Sequence, residues 1–251
     1  MTASMQEPSL AFEGERAIIN LGRSEDDNKL TRPMMVRLAE LIRSADAEEA
    51  SVIVMQSQGT VFCGGRDGRG ESSAGLSAVT IRQTQMEPVL DVYAAIRSVA
   101  APVVARVHGD ATGFGAALVG GCDLAIASSS ARFSFPEIHH GIAPTMAISS
   151  VISNIPPATL AYLVFTGQEI DADAARQAGL IGAHFAADEF PARFDAVIGE
   201  LAARPRIILQ TIKQYLGAAG TMDRDAAADY AGALLAMLPM YMGLLAMLKA
   251  S

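Results

Sequence analysis

Short segments of strand character alternate with segments of helical character, and this alternation limits the possible folds more than any other feature of the sequence. Residues 17–22, 51–57 and 101–109 are short and rich in β-branched side chains, as strands are. Between them, apolar residues recur at helical spacing over 31–47, and a long helix is predicted over 80–98. Strands that alternate with helices predict an α/β core.

The same signals continue towards the C-terminus, where the chain becomes helical. Four further segments are assigned from them: a glycine-rich loop at 59–75, a helix at 111–121, a strand at 122–130 and a helix at 145–155. From about residue 204 the sequence is Ala-rich and helical. We therefore expect a core domain of residues 1–203 and a C-terminal helical region of residues 204–251.

Composition argues against several classes of function. The chain has 19 Lys and Arg against 27 Asp and Glu, a formal charge of −8, so a nucleic-acid-binding surface is not expected. Its two cysteines, Cys63 and Cys122, lack metal-ligand spacing, and two separate thiols suit a reducing compartment. This spacing gives no reason to expect a metal site. Because no secretory leader is visible, we expect a cytoplasmic protein.

The longest apolar stretch lies at 233–251 and is interrupted by Pro239 and Gly243. A proline inside a helix removes a hydrogen bond and kinks or breaks it. We therefore predict a buried or subunit-facing helix pair here, and no membrane span. The methionines of this stretch suit packing against an irregular surface, either of another subunit or of its own core.

Two glycine-rich segments, 62–67 and 113–117, share one design, in which an apolar strand runs into glycines before a helix. A helix N-terminus presents free backbone N–H groups, and glycine lets a ligand approach the backbone closely. Two such N–H groups that converge on one point would form an oxyanion hole for a carbonyl oxygen. Either segment alone is typical of an ordinary turn, and neither matches a nucleotide-binding motif.

Several motifs occur in a defined order. Residues 62–67 read F-C-G-G-R-D, and residues 108–115 read H-G-D-A-T-G-F-G. They are followed by C-D-L-A-I-A at 122–127, by a segment with Pro136-Glu137 at 131–144, and by a T-G to G-L run at 166–180. Over about residues 10–215 this series resembles the crotonase superfamily, also called enoyl-CoA hydratase/isomerase, with its F-x-x-G-x-D loop, glycine-rich segment and P-E signature.

The resemblance implies a crotonase-like spiral of ββα units with a C-terminal α-helical region that mediates trimerisation, assembled as a homotrimer or hexamer. It implies an acyl-CoA or similar thioester as substrate, with CoA as part of that substrate and no separate cofactor. The oxyanion-hole donors fall on the backbone N–H groups of Arg66 and Phe114. The implied substrate-binding residues are Cys63, Gly64, Gly65, Asp67, Gly113, Gly115 and His140. Phe114 replaces a family glycine, which places a large side chain beside the thioester.

Hydratases of this superfamily commonly hold a water molecule between two carboxylates. The first of these positions corresponds to Ala117, where the carboxylate is missing, and the second is retained as Glu137. A single carboxylate can remove a proton α to a thioester and return it elsewhere, so double-bond isomerisation is favoured over hydration. Apolar neighbours, among them Phe133 and Phe135, are expected to raise the pKa of Glu137 towards neutrality.

Several alternatives stay open at this point. His139 or His140 could supply a second proton-transfer group, or be a loop histidine with a backbone partner. Arg66, Arg69 and Lys249 could meet CoA phosphates or be ordinary solvated side chains. The chemistry could instead be decarboxylation or carbon–carbon cleavage on a CoA- or carrier-bound acyl group, and a non-catalytic member of the superfamily is the third alternative.

Overall fold

The computed structural model describes residues 7–249, with side chains described through residue 240. Ten strands occur in this part of the chain: β1 (Ser9–Glu13), β2 (Arg16–Asn20), β3 (Val52–Gln56), β4 (Val61–Cys63), β5 (Val103–Val107), β6 (Asp110–Thr112), β7 (Leu124–Ser128), β8 (Arg132–Ser134), β9 (Ile170–Asp171) and β10 (Ala183–Phe185). They form a six-stranded sheet in the order β1-β2-β3-β5-β7-β10 and a four-stranded sheet in the order β4-β6-β8-β9. Neighbours pair in parallel except β1 with β2 and β8 with β9.

Ten α-helices accompany these strands in the described part of the chain: α1 (Arg32–Ala47), α2 (Ala78–Ile81), α3 (Glu87–Ser98), α4 (Phe114–Gly121), α5 (Thr145–Val151), α6 (Pro157–Thr166), α7 (Ala172–Gln177), α8 (Phe190–Ala202), α9 (Arg206–Ala219) and α10 (Arg224–Lys249). A π-helical turn, Arg82–Met86, joins α2 to α3. None of the described helices is long and apolar enough to cross a membrane.

From β3 to β8, consecutive strands alternate between the two sheets. The pairs β3-β4, β5-β6 and β7-β8 each contribute one strand to each sheet, and each pair is followed by helix. This is the spiral of ββα units that the resemblance implies, so the predicted fold class is confirmed. The consequence for function is that the second strand of each unit ends at the same edge of the small sheet.

The large sheet is buried on both faces. One face packs into the main core against α1, α3 and α4, and the other packs under α8, where Val52, Val54 and Val104 meet Phe190 and Phe194. Strands covered on both sides read as continuous apolar runs. That is why residues 51–57 and 101–109 were visible as strands in the sequence.

Helix α9 is fixed to the core by two basic side chains. The Lys213 Nζ lies 2.7 Å from a carboxylate oxygen of Asp123 and donates to the Ile96 and Ala101 carbonyls. The Arg206 guanidinium pairs with Asp46 at 2.9 Å. The region 204–251 therefore begins with a helix docked on the core. Its role in trimerisation stays a prediction.

Three local predictions were wrong. The segment 59–75 contains strand β4, and 111–121 begins with the end of β6, because three-residue strands form by pairing and leave no pattern of their own. The stretch with Pro239 is one helix, α10, and not a helix pair. Its Met242 and Met247 lie outside the residues whose side chains are described.

Candidate active site

The first glycine loop leaves β4 and pairs briefly with the chain before α1. The Leu30 N–H donates to the Gly65 carbonyl at 3.0 Å, and the Asp67 N–H donates to the Leu30 carbonyl at 2.9 Å. In an extended segment, successive backbone groups point in opposite directions. The N–H of Arg66 therefore points away from Leu30, and it donates to no other described residue.

The second glycine loop forms the turn from β6 into α4. Gly113 has φ +56 and ψ −116, a conformation that L-residues rarely adopt, and its N–H donates to the Ser134 carbonyl at 2.8 Å. Phe114 is the first residue of α4, so its N–H has no partner within the helix. Among the described residues it has none elsewhere.

The two loops touch at Gly65. A Cβ built on Gly65, which has φ +99, would lie 2.9 Å from the Thr112 carbonyl oxygen and 3.8 Å from the Phe114 nitrogen. Covalent geometry keeps the Arg66 nitrogen within about 3.7 Å of that Cβ position, so the two amide nitrogens are at most about 7.5 Å apart. Gly115 adds to this close approach, because its Cβ would lie 2.1 Å from the Cys63 carbonyl oxygen.

The carboxylate of Glu137 lies beside the second loop. Glu137 is in a 3-10 turn, Pro136–His140, that follows β8, and its Oε1 is 3.1 Å from the Cβ position built on Gly113. Its Oε2 is buried and has no partner among the described residues. Burial raises the pKa of Glu137, while its own backbone N–H and the charge of His140 lower that pKa in part. The expected direction of the shift is confirmed.

A carboxylate and two amides without partners among the described residues thus border one small region. A family model described as enoyl-CoA hydratase/isomerase matches residues 13–237. The chain belongs to this family. It is therefore an acyl-CoA-processing enzyme of the crotonase type.

Individual relatives of this enzyme are moderately similar in sequence. Over 221 residues it is 29% identical to the mitochondrial enoyl-CoA hydratase domain-containing protein 3 of Danio rerio, covering 88% of this chain and 75% of that protein. It is 28% identical to 2,3-dehydroadipyl-CoA hydratase of Escherichia coli, covering 79% of this chain and 77% of the relative. An enoyl-CoA hydratase structure from Mycobacterium smegmatis matches with a TM-score of 0.87 and 27% identity, covering 97% of this chain and 96% of that one.

Asp67 orders the first loop of this hydratase/isomerase family member. Its buried carboxylate pairs with Arg23 at 2.9 Å and with Arg69 at 2.8 Å. The hydrogen bonds from Arg69 and Arg23 hold the pKa of Asp67 well below its usual range, against the opposing effect of desolvation. The carboxylate is thus engaged within the loop, and its role in substrate binding stays a prediction.

The cationic side chains proposed for CoA phosphates are engaged with carboxylates. Arg66 pairs with Glu71, and its Nε is buried without a partner among the described residues. Arg69 is 68% exposed and pairs with Asp26 and Asp67. The Lys249 side chain lies outside the described residues. A phosphate would have to compete with these carboxylates at Arg66 and Arg69.

The two histidines after Glu137 point to different surroundings. The His139 ring lies against Gly167 at the end of α6, with Nε2 2.5 Å from a Cβ built there. His140 is exposed but close enough to act on the pKa of Glu137. Of the pair, His140 is the one near the site. The described residues hold no cluster of three or more metal-ligating side chains.

Cys63 and Phe114 lie behind the loops. Cys63 is fully buried, and burial raises the pKa of its thiol to about 12, so the side chain packs in the core and its contribution to the site is the backbone. Phe114 is 6% exposed and stacks on Tyr93. The ring of Phe114 thus packs into the core, and its place beside the thioester stays a prediction.

Ala117 is fully buried on α4, and no carboxylate stands at that position.

The sequence interpretation missed Tyr93, a buried residue of α3 whose hydroxyl has no partner among the described residues. Tyr93 belongs to an apolar helix face that also carries Val89, Val92 and Ile96. A tyrosine hydroxyl on an otherwise apolar helix face was the signal in the sequence that could have identified Tyr93 as a candidate site residue.

Proposed function

We propose that this enzyme binds an acyl-CoA thioester, stabilises its enolate with the backbone N–H groups of Arg66 and Phe114, and moves the proton with Glu137. The observation that supports this most is the position of the Glu137 carboxylate. It lies against Gly113, the residue before one unpaired amide, and one of its oxygens is buried without a partner among the described residues. A base and two hydrogen-bond donors then act on adjacent atoms of one thioester.

The chemistry requires both parts. Removal of an α-proton moves negative charge onto the thioester oxygen, and preorganised N–H donors stabilise that charge as it develops. One such donor is worth about 3 kcal/mol. The positive end of α4, whose first residue is Phe114, acts in the same direction. The raised pKa of Glu137 brings the base closer to the operating pH, where proton transfer in both directions is efficient.

Within this proposal we favour double-bond isomerisation. Glu137 removes the α-proton of a 3-enoyl thioester, the electron pair moves through the enolate, and the same carboxyl group returns the proton at the γ-carbon. No atom is gained or lost. The single retained carboxylate supports this choice, because Ala117 offers no second one.

Assembly as a homotrimer or hexamer in the cytoplasm belongs to the same proposal. Several large apolar side chains of the C-terminal helices are exposed in the single chain, including Leu216 at 70%, Leu235 at 63% and Met240 at 66%. Exposed apolar surface of this kind supports a contact between subunits.

Replacement of the proposed base tests the function. Glu137→Gln should lower the rate of hex-3-enoyl-CoA isomerisation, and of deuterium exchange at the α-carbon of hexanoyl-CoA in deuterated water, by about 10²–10⁴-fold. Binding of the thioester, measured by calorimetry, should change little. Glu40→Gln is the matched control, because Glu40 lies on α1 and its side chain is 59% exposed.

Retention of near-native rates by Glu137→Gln would refute the role of Glu137. Malonyl-type and β-keto thioesters belong in the same screen. Faster turnover of these than of enoyl thioesters would indicate the alternative chemistry, decarboxylation or carbon–carbon cleavage. Stabilisation by CoA esters without turnover of any of them would indicate a non-catalytic member of the family.

A further inference from the structure

The hydroxyl group of Tyr93 is buried beside the proposed reaction centre and has no partner there. Tyr93 is 2% exposed, and no other described residue donates to its oxygen or accepts from it. A buried hydroxyl without a hydrogen bond costs free energy that a phenylalanine at the same place would avoid. Packing of the ring alone therefore does not account for the oxygen.

Two contacts place the ring of Tyr93 along one face of α4. Its centroid is 5.8 Å from that of Phe114, with the rings stacked at 23°. Its Cδ1 is 4.0 Å from a Cβ built on Gly121. Positions 114, 117 and 121 recur at the spacing of one helix face. The ring therefore covers the face of α4 that carries Ala117, where the expected carboxylate is missing.

Glu137 lies at the N-terminal end of the same helix. Its Oε1 is 3.1 Å from the Cβ position on Gly113, the residue next to Phe114, and its Oε2 is buried and unpaired among the described residues. Burial raises the pKa of Tyr93, and the charge of Glu137 raises it further, so the two groups are within electrostatic reach. The carboxylate thus lies at the turn between β6 and α4, the ring that carries the hydroxyl stacks on the first residue of α4, and neither polar group has a partner among the described residues.

We propose that Tyr93 is a second catalytic residue of this enzyme, whose hydroxyl and the Glu137 carboxylate together hold a water molecule at the β-carbon of an enoyl thioester. This inference rests on the proposed function, because it uses the same thioester, the same amides and Glu137. It adds water addition to isomerisation, with a phenol at the place of the missing carboxylate.

Each group has one task in the reaction. The water oxygen forms a bond to the β-carbon, and the electron pair of the double bond moves onto the thioester oxygen, held by the two N–H groups. Glu137 takes one proton from the water and delivers it to the α-carbon, which yields the 3-hydroxyacyl thioester. Tyr93 stays neutral and accepts a hydrogen bond from the second O–H of the water, which orients the attacking lone pair.

The test compares two rates in one variant. Tyr93→Phe keeps the ring and its stacking on Phe114 and removes only the oxygen. We expect the rate of hex-2-enoyl-CoA hydration, divided by the rate of α-deuterium exchange in hexanoyl-CoA, to fall by about 10- to 100-fold, the loss of a hydrogen bond that is stronger in the transition state. The melting temperature should stay the same or rise, because an unpaired buried hydroxyl is removed.

Tyr162→Phe is the matched control, because Tyr162 is 54% exposed and its hydroxyl donates to Gln168 at 2.9 Å. An unchanged rate ratio in Tyr93→Phe would overturn the inference, as would a wild-type enzyme that exchanges α-protons but adds no water. A wild-type enzyme without α-exchange would instead refute the proposed function, on which the inference rests. Glu137→Gln should lower the hydration rate and the α-exchange rate together, which distinguishes the role of Glu137 from that of Tyr93.

Discussion

Gly65 is the position at which a single added carbon atom should damage the proposed oxyanion hole most directly. The residue has φ +99, a region that side-chain-bearing residues avoid, and a Cβ there would lie 2.9 Å from the Thr112 carbonyl oxygen. Ordinary contact begins at 3.4 Å, so the loops must separate by about 0.5 Å (3.4 − 2.9). The backbone strain costs a further 1–3 kcal/mol or so.

This separation of the loops would increase the distance between the Arg66 and Phe114 amide nitrogens. Loss of one oxyanion donor costs about 10²–10³-fold in kcat, and a misplacement near 1 Å costs about 10²-fold. For a shift of half that size we expect Gly65→Ala to lower kcat by about 10- to 100-fold. Unfolding free energy should fall by about 1–3 kcal/mol.

The assay is α-deuterium exchange with hexanoyl-CoA, together with circular dichroism and thermal unfolding of the same preparation. Gly68→Ala is the control in the same loop, because its φ is not in the left-handed region and its Cβ would have nothing within 4 Å. A folded Gly65→Ala protein with the kcat of Gly68→Ala would refute the convergence of the two amides at one oxygen.

Two further predictions concern ionisable groups. Burial raises the pKa of Glu137, so its stabilising contribution is present below the unfolded-state pKa and is lost as pH rises through the folded-state pKa. Glu137→Gln should therefore melt higher than wild type at neutral pH, and the gap should close as pH falls towards about 4; an equal gap at both pH values would contradict this. Lys213→Met should lower the unfolding free energy by about 1–3 kcal/mol, because it leaves the partly buried Asp123 carboxylate without its cation. Lys29→Met is the control, since that pair is 3.5 Å long and exposed, and equal stability of the two variants in urea unfolding would argue against docking of α9 on the core.

The sequence predicted the helices and the central strands because their signals are local. Residues 51–57 and 101–109 carry apolar side chains on both faces of a strand, and α1 carries them on one face of a helix. Each of these patterns reports the burial of its own segment. The strands β4 and β6 have three residues each, too few for a pattern, so they depended on their neighbours.

At Pro239 a local signal is present in the sequence but gives the wrong prediction. In the sequence it is a helix breaker, yet α10 runs through it from Arg224 to Lys249. Pro239 and Gly243 weaken a helix only locally, and the helix-favouring residues around them continue α10 across both positions.

The sequence by itself determined the family, the order of the units and the position of the candidate base, because motifs such as Pro136-Glu137 are read directly from the chain. Only the tertiary structure decided that Gly65 touches the second loop, that the ring of Phe114 packs into the core against Tyr93 and that the Tyr93 hydroxyl is buried without a partner among the described residues. Residues 65, 93, 114 and 137 belong to four separate segments, and none of them carries a local signal about the others. Their distances are set by how the sheets and α3 pack together, which depends on the whole core.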